Sequence, residues 1–226
     1  MAVSQKLIDG LLELGFNQEQ TENLSKKMDT YIGEIILFNS AYNLTNTSDY
    51  DEIVVNHILD SLSAYKEIKT LAEELSKTAD ASSFRIADIG SGGGLPGIPL
   101  AAALPEYNFT LVERMDKRCA FLENCAAILG LKNVTVLKKE AEKVPADSFD
   151  IATFRAFRPL DNAMTKTLLN LIKPNGYLAA YKAKESSIQT EMQGIKELVP
   201  EFKTISLIVP FLQDHERNLV LIKANK

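Results

Sequence analysis

From residue 84 onward, short apolar runs alternate with longer amphipathic stretches. The runs at Arg85–Ile89, Asn108–Val112, Val134–Leu137, Phe149–Thr153 and Tyr177–Tyr181 read as strands. The stretches at 98–104, 116–131, 160–172 and 187–198 have helical spacing. Such alternation predicts crossover units and a parallel sheet. Pro174-Asn175-Gly176 reads as a turn. Two closing strands, at 203–209 and 218–223, are expected to pair antiparallel across a loop that holds His215 and Arg217. Residues 1–83 follow a different rhythm. A first helix spans Val3 to Leu14, stopped by Gly15. After Asn17, a plausible N-cap, a long helix carries Leu24, Met28, Tyr31, Ile32, Ile35, Ile36 and Phe38 and ends at Asn39-Ser40. Tyr42–Thr47 is turn-like, and Asp49–Glu52 opens a helix whose apolar run to Leu62 is interrupted by His57, Asp60 and Ser61. A charged helix from Lys66 runs into the linker Ala79–Ser83. The expected organisation is an N-terminal helical extension, 1–83, followed by an α/β domain, 84–226. Its mostly parallel, Rossmann-like sheet has an antiparallel last strand and helices on both faces.

The 226 residues, 46% of them hydrophobic, are ample for a self-sufficient core. No apolar run approaches the ~20 residues of a membrane span, and the N-terminus lacks a signal peptide's apolar region. A cytoplasmic protein is expected. Cys119 and Cys125 are six apart on a helix, which puts them on different faces and argues against a disulfide. With only His57 and His215 besides, no zinc constellation is expected. The net charge of −5 argues against generic nucleic-acid affinity. It is unevenly distributed: residues 1–80 hold six lysines and no arginine against fourteen acidic residues, and the remainder carries 19 basic against 16. A modestly basic second half is compatible with a shaped RNA–protein particle as partner.

Chemistry is concentrated at Asp88-Ile89-Gly90-Ser91-Gly92-Gly93-Gly94-Leu95-Pro96-Gly97-Ile98-Pro99. Four glycines in five residues remove side chains at the carboxyl end of a strand, where ligands meet open α/β sheets. Pro96 and Pro99 stand where a helix begins. The spacing Asp88-x-Gly90-x-Gly92-x-Gly94 resembles the first motif of Rossmann-like S-adenosylmethionine-dependent methyltransferases. Gly92-x-Gly94-x-x-Gly97 also satisfies the dinucleotide pattern, although Gly92 then comes late after the strand. The methyltransferase reading leaves less of the loop unexplained. A parallel sheet also brings together Glu113, Ala141/Glu142, Arg155 and Lys182. Glu113, 25 positions after Asp88, suits the two hydroxyls of a ribose. Arg155 needs an anionic partner, either ligand or structural carboxylate. His57 and Asp60 form either a polar pair buttressing the core or part of a substrate site.

The combination of Asn43-Leu44-Thr45, His57-Ile58-Leu59-Asp60-Ser61-Leu62, the glycine loop, Ala141-Glu142, Phe149-Asp150 and Arg155-Ala156-Phe157 resembles the RsmG (GidB) family. These are bacterial methyltransferases acting on guanine N7 in 16S ribosomal RNA. The resemblance implies a class I methyltransferase fold and S-adenosyl-L-methionine as cofactor, held by Gly90, Leu95, Ala141, Glu142 and Arg155 with Glu113 near the ribose. Asp88 and Gly92 complete the expected cofactor loop. It implies 16S rRNA in the small ribosomal subunit as partner; a monomer with no metal and no membrane is expected. Two positions depart from the family pattern: Ala183 stands where Lys-Gly is common after strand five, and Glu113 replaces the commoner Asp. Arg155, Lys182 and His57 are the candidates for positioning substrate. Phe154 and Phe157 are candidate base stackers, and Lys182, Lys184, Arg158 and Arg217 candidate phosphate contacts. Neutral guanine N7 already presents a lone pair, so no general base is expected. The other readings are methyl transfer to a small molecule or protein, and a non-catalytic nucleotide-binding protein.

Overall fold

In the computed structural model, which describes residues 3–77, 84–155 and 160–226, the apolar runs from residue 84 form one seven-stranded sheet. The strands are β1 (Arg85–Ile89), β2 (Asn108–Glu113), β3 (Val134–Lys138), β4 (Phe149–Arg155), β5 (Ile172–Lys182), β6 (Lys203–Ser206) and β7 (Asn218–Lys223). Their spatial order is β3-β2-β1-β4-β5-β7-β6. β1 to β5 are parallel, and β7 runs antiparallel to both β5 and β6. The chain order reverses between β1 and β4, and that switch point is where such sheets open a crevice at their carboxyl ends.

Alternation along each strand gives the sheet two apolar faces. Ile86, Phe109, Leu111 and Ile151 face one layer; Ala87, Ile89, Val112 and Ala152 face the other. The second layer is closed by α8 (Asn162–Leu171) and α9 (Glu185–Gly194). The first is closed by α6 (Gly97–Ala103) and α7 (Asp116–Ile128) together with the N-terminal helices α1 (Gln5–Glu13), α2 (Gln18–Tyr42) and α5 (Tyr65–Ser76). Leu24, Met28, Tyr31, Ile32 and Ile35 thus belong to the same apolar cluster as the sheet residues. The boundary expected at residues 79–83 lies outside the described residues, as do Phe157 and Arg158.

Three elements differ from the sequence expectation. α2 continues past Asn39 to Tyr42 and stops where Asn43 takes a left-handed conformation, φ 49°. Asn39 is buried and its side chain organises the following loop, accepting from Leu44 and Thr45 N–H and donating to Thr47 O. β5 begins at Ile172, so Pro174-Asn175-Gly176 lies within a strand. The pairing register with β4 shifts between Phe149 and Ile151, and Asn175 sits at φ 66°: a bulge absorbs the turn signal. The apolar run before Leu62 is not one α-helix. α3 (Tyr50–Ile53) passes into a π-helical turn (Val54–Leu59) and then α4 (Asp60–Leu62).

Candidate cofactor cleft and the cluster beside it

The carboxyl ends of β1 and β2 border a cleft of about 580 Å³. Its lining includes Gly90, Glu113, Met115, Glu140, Ala141 and Glu142. Gly90, Gly92 and Gly94 have φ of 70°, 57° and 89°, a region that side chains rarely enter. Gly94 is further restricted, because a Cβ there would lie 2.9 Å from both Leu122 and the Tyr31 hydroxyl. Tyr31, fully buried on α2, donates to the Gly93 carbonyl, and Leu44 packs against Gly93. The N-terminal helical layer therefore holds the glycine loop from behind.

Six of the loop's N–H groups are already engaged. Gly90 and Ser91 donate to Val112 O, and Gly94 and Leu95 donate to Ser91 O. Gly97 N–H donates to Asp88 Oδ2 at 3.0 Å and Gly92 N–H to Glu113 Oε2 at 2.9 Å. Asp88 is buried beneath the loop, and burial pushes its carboxyl up to about 7 against the opposing Gly97 hydrogen bond. Glu113 is 5% exposed; its other oxygen accepts from the N–H groups of Arg114 and Met115. A pyrophosphate site needs unengaged N–H groups at a helix start. Here the N–H groups of Gly92 and Gly97 serve the Glu113 and Asp88 side chains, and those of Gly90, Ser91, Gly94 and Leu95 serve carbonyls, so they are not offered to a phosphate. This decides against the dinucleotide reading of Gly92-x-Gly94-x-x-Gly97. The same features fit a phosphate-free adenosyl sulfonium. The Glu113 carboxylate lies at the β2 end, Met115 offers an apolar surface at 48% exposure, and the lining balances Glu113, Glu140 and Glu142 against Arg114, Arg118 and Lys139.

Across the switch point, β4 ends in Arg155. Its Nη1 donates to Asp60 Oδ2 at 2.5 Å and to Asn56 O at 3.0 Å, and its Nη2 lies 3.1 Å from His57 Nδ1. The π-helical turn makes this possible. Asp60 N–H bonds back to Val55 O and His57 O, passing over Asn56 O, which accepts from Arg155 instead. Arg217 Nε donates to the second Asp60 oxygen at 2.9 Å, so a buried carboxylate bridges two guanidiniums. Arg155 has thus found the structural carboxylate the sequence left open.

Other sequence candidates are committed elsewhere. Lys182 pairs with Glu191 at 2.6 Å and lies over the Phe154 ring, and Phe154 is buried in the second apolar layer rather than presented for stacking. Lys184 is exposed before α9. The Ala183 carbonyl accepts from Asn218, so the methyl at that position is accommodated on an exposed residue. Asp150 lies at the opposite, amino-terminal edge, accepting from Arg85 N–H and pairing with Lys173. Sequence reasoning missed Arg118, which lines the cleft and donates to Asn43 O. Its only signal was a basic residue in the first turn of α7. Among the described residues no group of His, Cys, Asp and Glu is arranged to hold a metal ion, and no helix is long and apolar enough to cross a membrane.

Residues 24–220 match the family model described as rRNA small subunit methyltransferase G, GidB. Ribosomal RNA small subunit methyltransferase G of Treponema denticola is 43% identical, the match covering 96% of this chain and 93% of that one. The protein of the same name from Klebsiella pneumoniae is 37% identical, with 90% of each chain covered. In fold, the chain is similar to the tRNA (m1A58) methyltransferase TrmI of Aquifex aeolicus, with a TM-score of 0.55 at 14% identity over 74% of this chain and 69% of that one. This chain belongs to the rRNA small subunit methyltransferase G (GidB) family.

Proposed function

We propose that this protein transfers the methyl group of S-adenosyl-L-methionine to N7 of one guanine in the 16S rRNA of the small ribosomal subunit. It acts in the cytoplasm as a monomer. The observation that carries the reading is the glycine loop whose Gly92 and Gly97 N–H groups are taken by Glu113 and Asp88, and four others by carbonyls, beside a cleft of about 580 Å³. It suits a cofactor that is cationic and phosphate-free. The names of its relatives support small-subunit ribosomal RNA as the substrate class, and guanine N7 follows from the family resemblance.

Within this reading, Glu113 holds the ribose hydroxyls. Three N–H groups already bond its carboxylate, which leaves capacity for about one more donor. A grip on both hydroxyls therefore displaces the Gly92 N–H. Met115 and Ala141 flank the adenine, with Glu142 at the same edge, and Gly90 and Leu95 give the methionyl end close access to backbone. Asp88 and Gly92 shape the loop, and Arg155 orders the far wall through Asp60 and His57. The cofactor supplies an electrophilic methyl on a sulfonium. N7 attacks with a lone pair and loses no proton, so no residue need act as base. Rate then comes from alignment of N7 with the methyl group and from carboxylates and dipoles matched to charge that moves onto the purine. N7 lies in the deep groove of paired RNA, so the guanine is taken from a loop or splayed out of its stack.

The test supplies labelled S-adenosylmethionine and the protein to small subunits from cells that lack it, followed by digestion of the RNA. Label in 7-methylguanosine at one position is expected. Label in another nucleoside, or none in RNA despite cofactor binding, overturns the substrate assignment.

A further inference from the structure

His57 stands at the centre of the cluster beside the cleft, and its hydrogen bonding specifies its tautomer. Arg155 Nη2, 3.1 Å away, can only donate, so Nδ1 accepts and the ring proton is on Nε2. Nε2 is buried and has no hydrogen-bond partner among the described residues. A buried N–H left unmet is costly, because it has given up its bond to water with no replacement. The π-helical turn that presents it interrupts the hydrogen-bond ladder of its own helix. Irregularity of this kind in helices is frequent at functional sites.

We infer that His57 is a specificity-determining residue whose Nε2–H donates to O6 of the target guanine. The inference rests on the N7 reading above. It follows from what the N7 edge of a purine offers. Guanine presents two acceptors there, N7 and O6, whereas adenine presents N7 and an amino donor. Arginine, the usual reader of that edge, covers both guanine atoms with a bidentate pair and would block the nucleophile. A single donor on O6 leaves the N7 lone pair free. It also repels the amino group of adenine, which brings a second donor to the same place.

Charge supports the same assignment. Methylation at N7 makes the purine cationic, so a guanidinium or imidazolium on O6 would oppose the reaction. His57 does not bring a charge: burial and the neighbouring Arg155 cation hold it down to about 4, with Asp60 opposing. The two guanidiniums of the cluster are turned to Asp60. Arg155 is then a positioning residue, since its donation to Nδ1 places the proton on Nε2.

The experiment uses small subunits reconstituted with 16S rRNA in which the target guanosine is replaced by inosine or by 2,6-diaminopurine riboside. Inosine keeps O6; diaminopurine replaces it with an amino group and keeps N7. The wild-type protein is expected to methylate inosine within about threefold of guanosine and diaminopurine at least about thirtyfold more slowly, as loss of a base-edge contact implies. The variant His57→Phe should reduce the guanosine rate by a similar factor and bring the guanosine and diaminopurine rates within a fewfold of each other. His57→Gln keeps both an acceptor for Arg155 and a donor, and should retain most of the preference. Cofactor affinity and thermal melting report whether each variant is folded; His57→Asn, too short to reach, stands in if the Phe variant is not. Equal wild-type rates on guanosine and diaminopurine overturn the inference, as does an undiminished preference in a folded Phe or Asn variant. Absence of 7-methylguanosine from the wild-type reaction on guanosine instead overturns the function on which it rests.

Discussion

The Asp60 carboxylate accepts from the Arg155 guanidinium at 2.5 Å although the two residues are 95 positions apart. One belongs to the N-terminal helical layer and the other to the end of β4, so this contact joins the two parts of the chain at the sheet's functional edge. Asp60→Ala leaves Arg155 and Arg217 sharing a partly buried site without their anion. Removal of one partner from a buried pair costs about 3–5 kcal/mol. Urea unfolding is expected to show a lower midpoint with an unchanged slope.

Cofactor affinity should follow Glu113. Glu113→Gln removes the charge that strengthens its bonds to Gly92 N–H and to a ribose diol. Hydrogen bonds to charged groups contribute about 1.5–3 kcal/mol, so a ten- to hundredfold rise in the S-adenosylmethionine Kd is expected by calorimetry. At saturating cofactor the rate should recover, because Glu113 does not touch the reacting atoms.

Gly94→Ala tests the support behind the loop. Its φ of 89° and the approach of Tyr31 and Leu122 leave no place for a Cβ. Backbone strain of this kind costs of order 1–3 kcal/mol. Loss of stability and of cofactor binding together are expected. Tyr31→Phe deletes the hydroxyl bond to Gly93 alone and should cost about 1 kcal/mol. Wild-type melting temperature and affinity in Gly94→Ala would sink this account of the loop.

Two buried groups give stability slopes of opposite sign with pH. His57 stays neutral in the fold down to about 4 but takes a proton near 6.5 when unfolded. The unfolded chain binds more protons in that window, so this contribution is complete above pH 6.5 and declines as pH falls toward 4. Asp88 is the reverse. It keeps its proton in the fold up to about 7 and loses it near 3.8 when unfolded, so its contribution declines as pH rises from 3.8 to 7. Melting curves from pH 4.5 to 7 should show the gap between wild type and His57→Gln widening with pH, and the gap between wild type and Asp88→Asn moving the other way.

The chemical step itself should be flat in rate between about pH 6 and 8. Guanine N7 needs no deprotonation, and His57 remains neutral throughout that range. Single-turnover rates on small subunits would check this, and a limb titrating near 6.5 would contradict it.

The local pattern of the chain was sufficient for the strands, for the glycine loop at the end of β1 and for the acidic residue at the end of β2, because period-two burial and glycine clustering act within a few residues. It was also sufficient to place the family, through Asp88–Pro99 and His57–Leu62 in order. Partners were not legible in it. Asp88 and Glu113 read as acids of the cofactor loop, and the fold also gives them the Gly97 and Gly92 N–H groups, a pairing not legible in the sequence because neither burial nor those N–H groups' need of an acceptor is a local property. Lys182 read as a free cation until α9 brought Glu191 beside it. The π-helical turn left no mark in the apolar pattern: the Asn56 carbonyl it frees is met by Arg155, from nearly a hundred residues away. Periodicity determines which face of an element is buried. Only the packed tertiary structure decides which charge meets which.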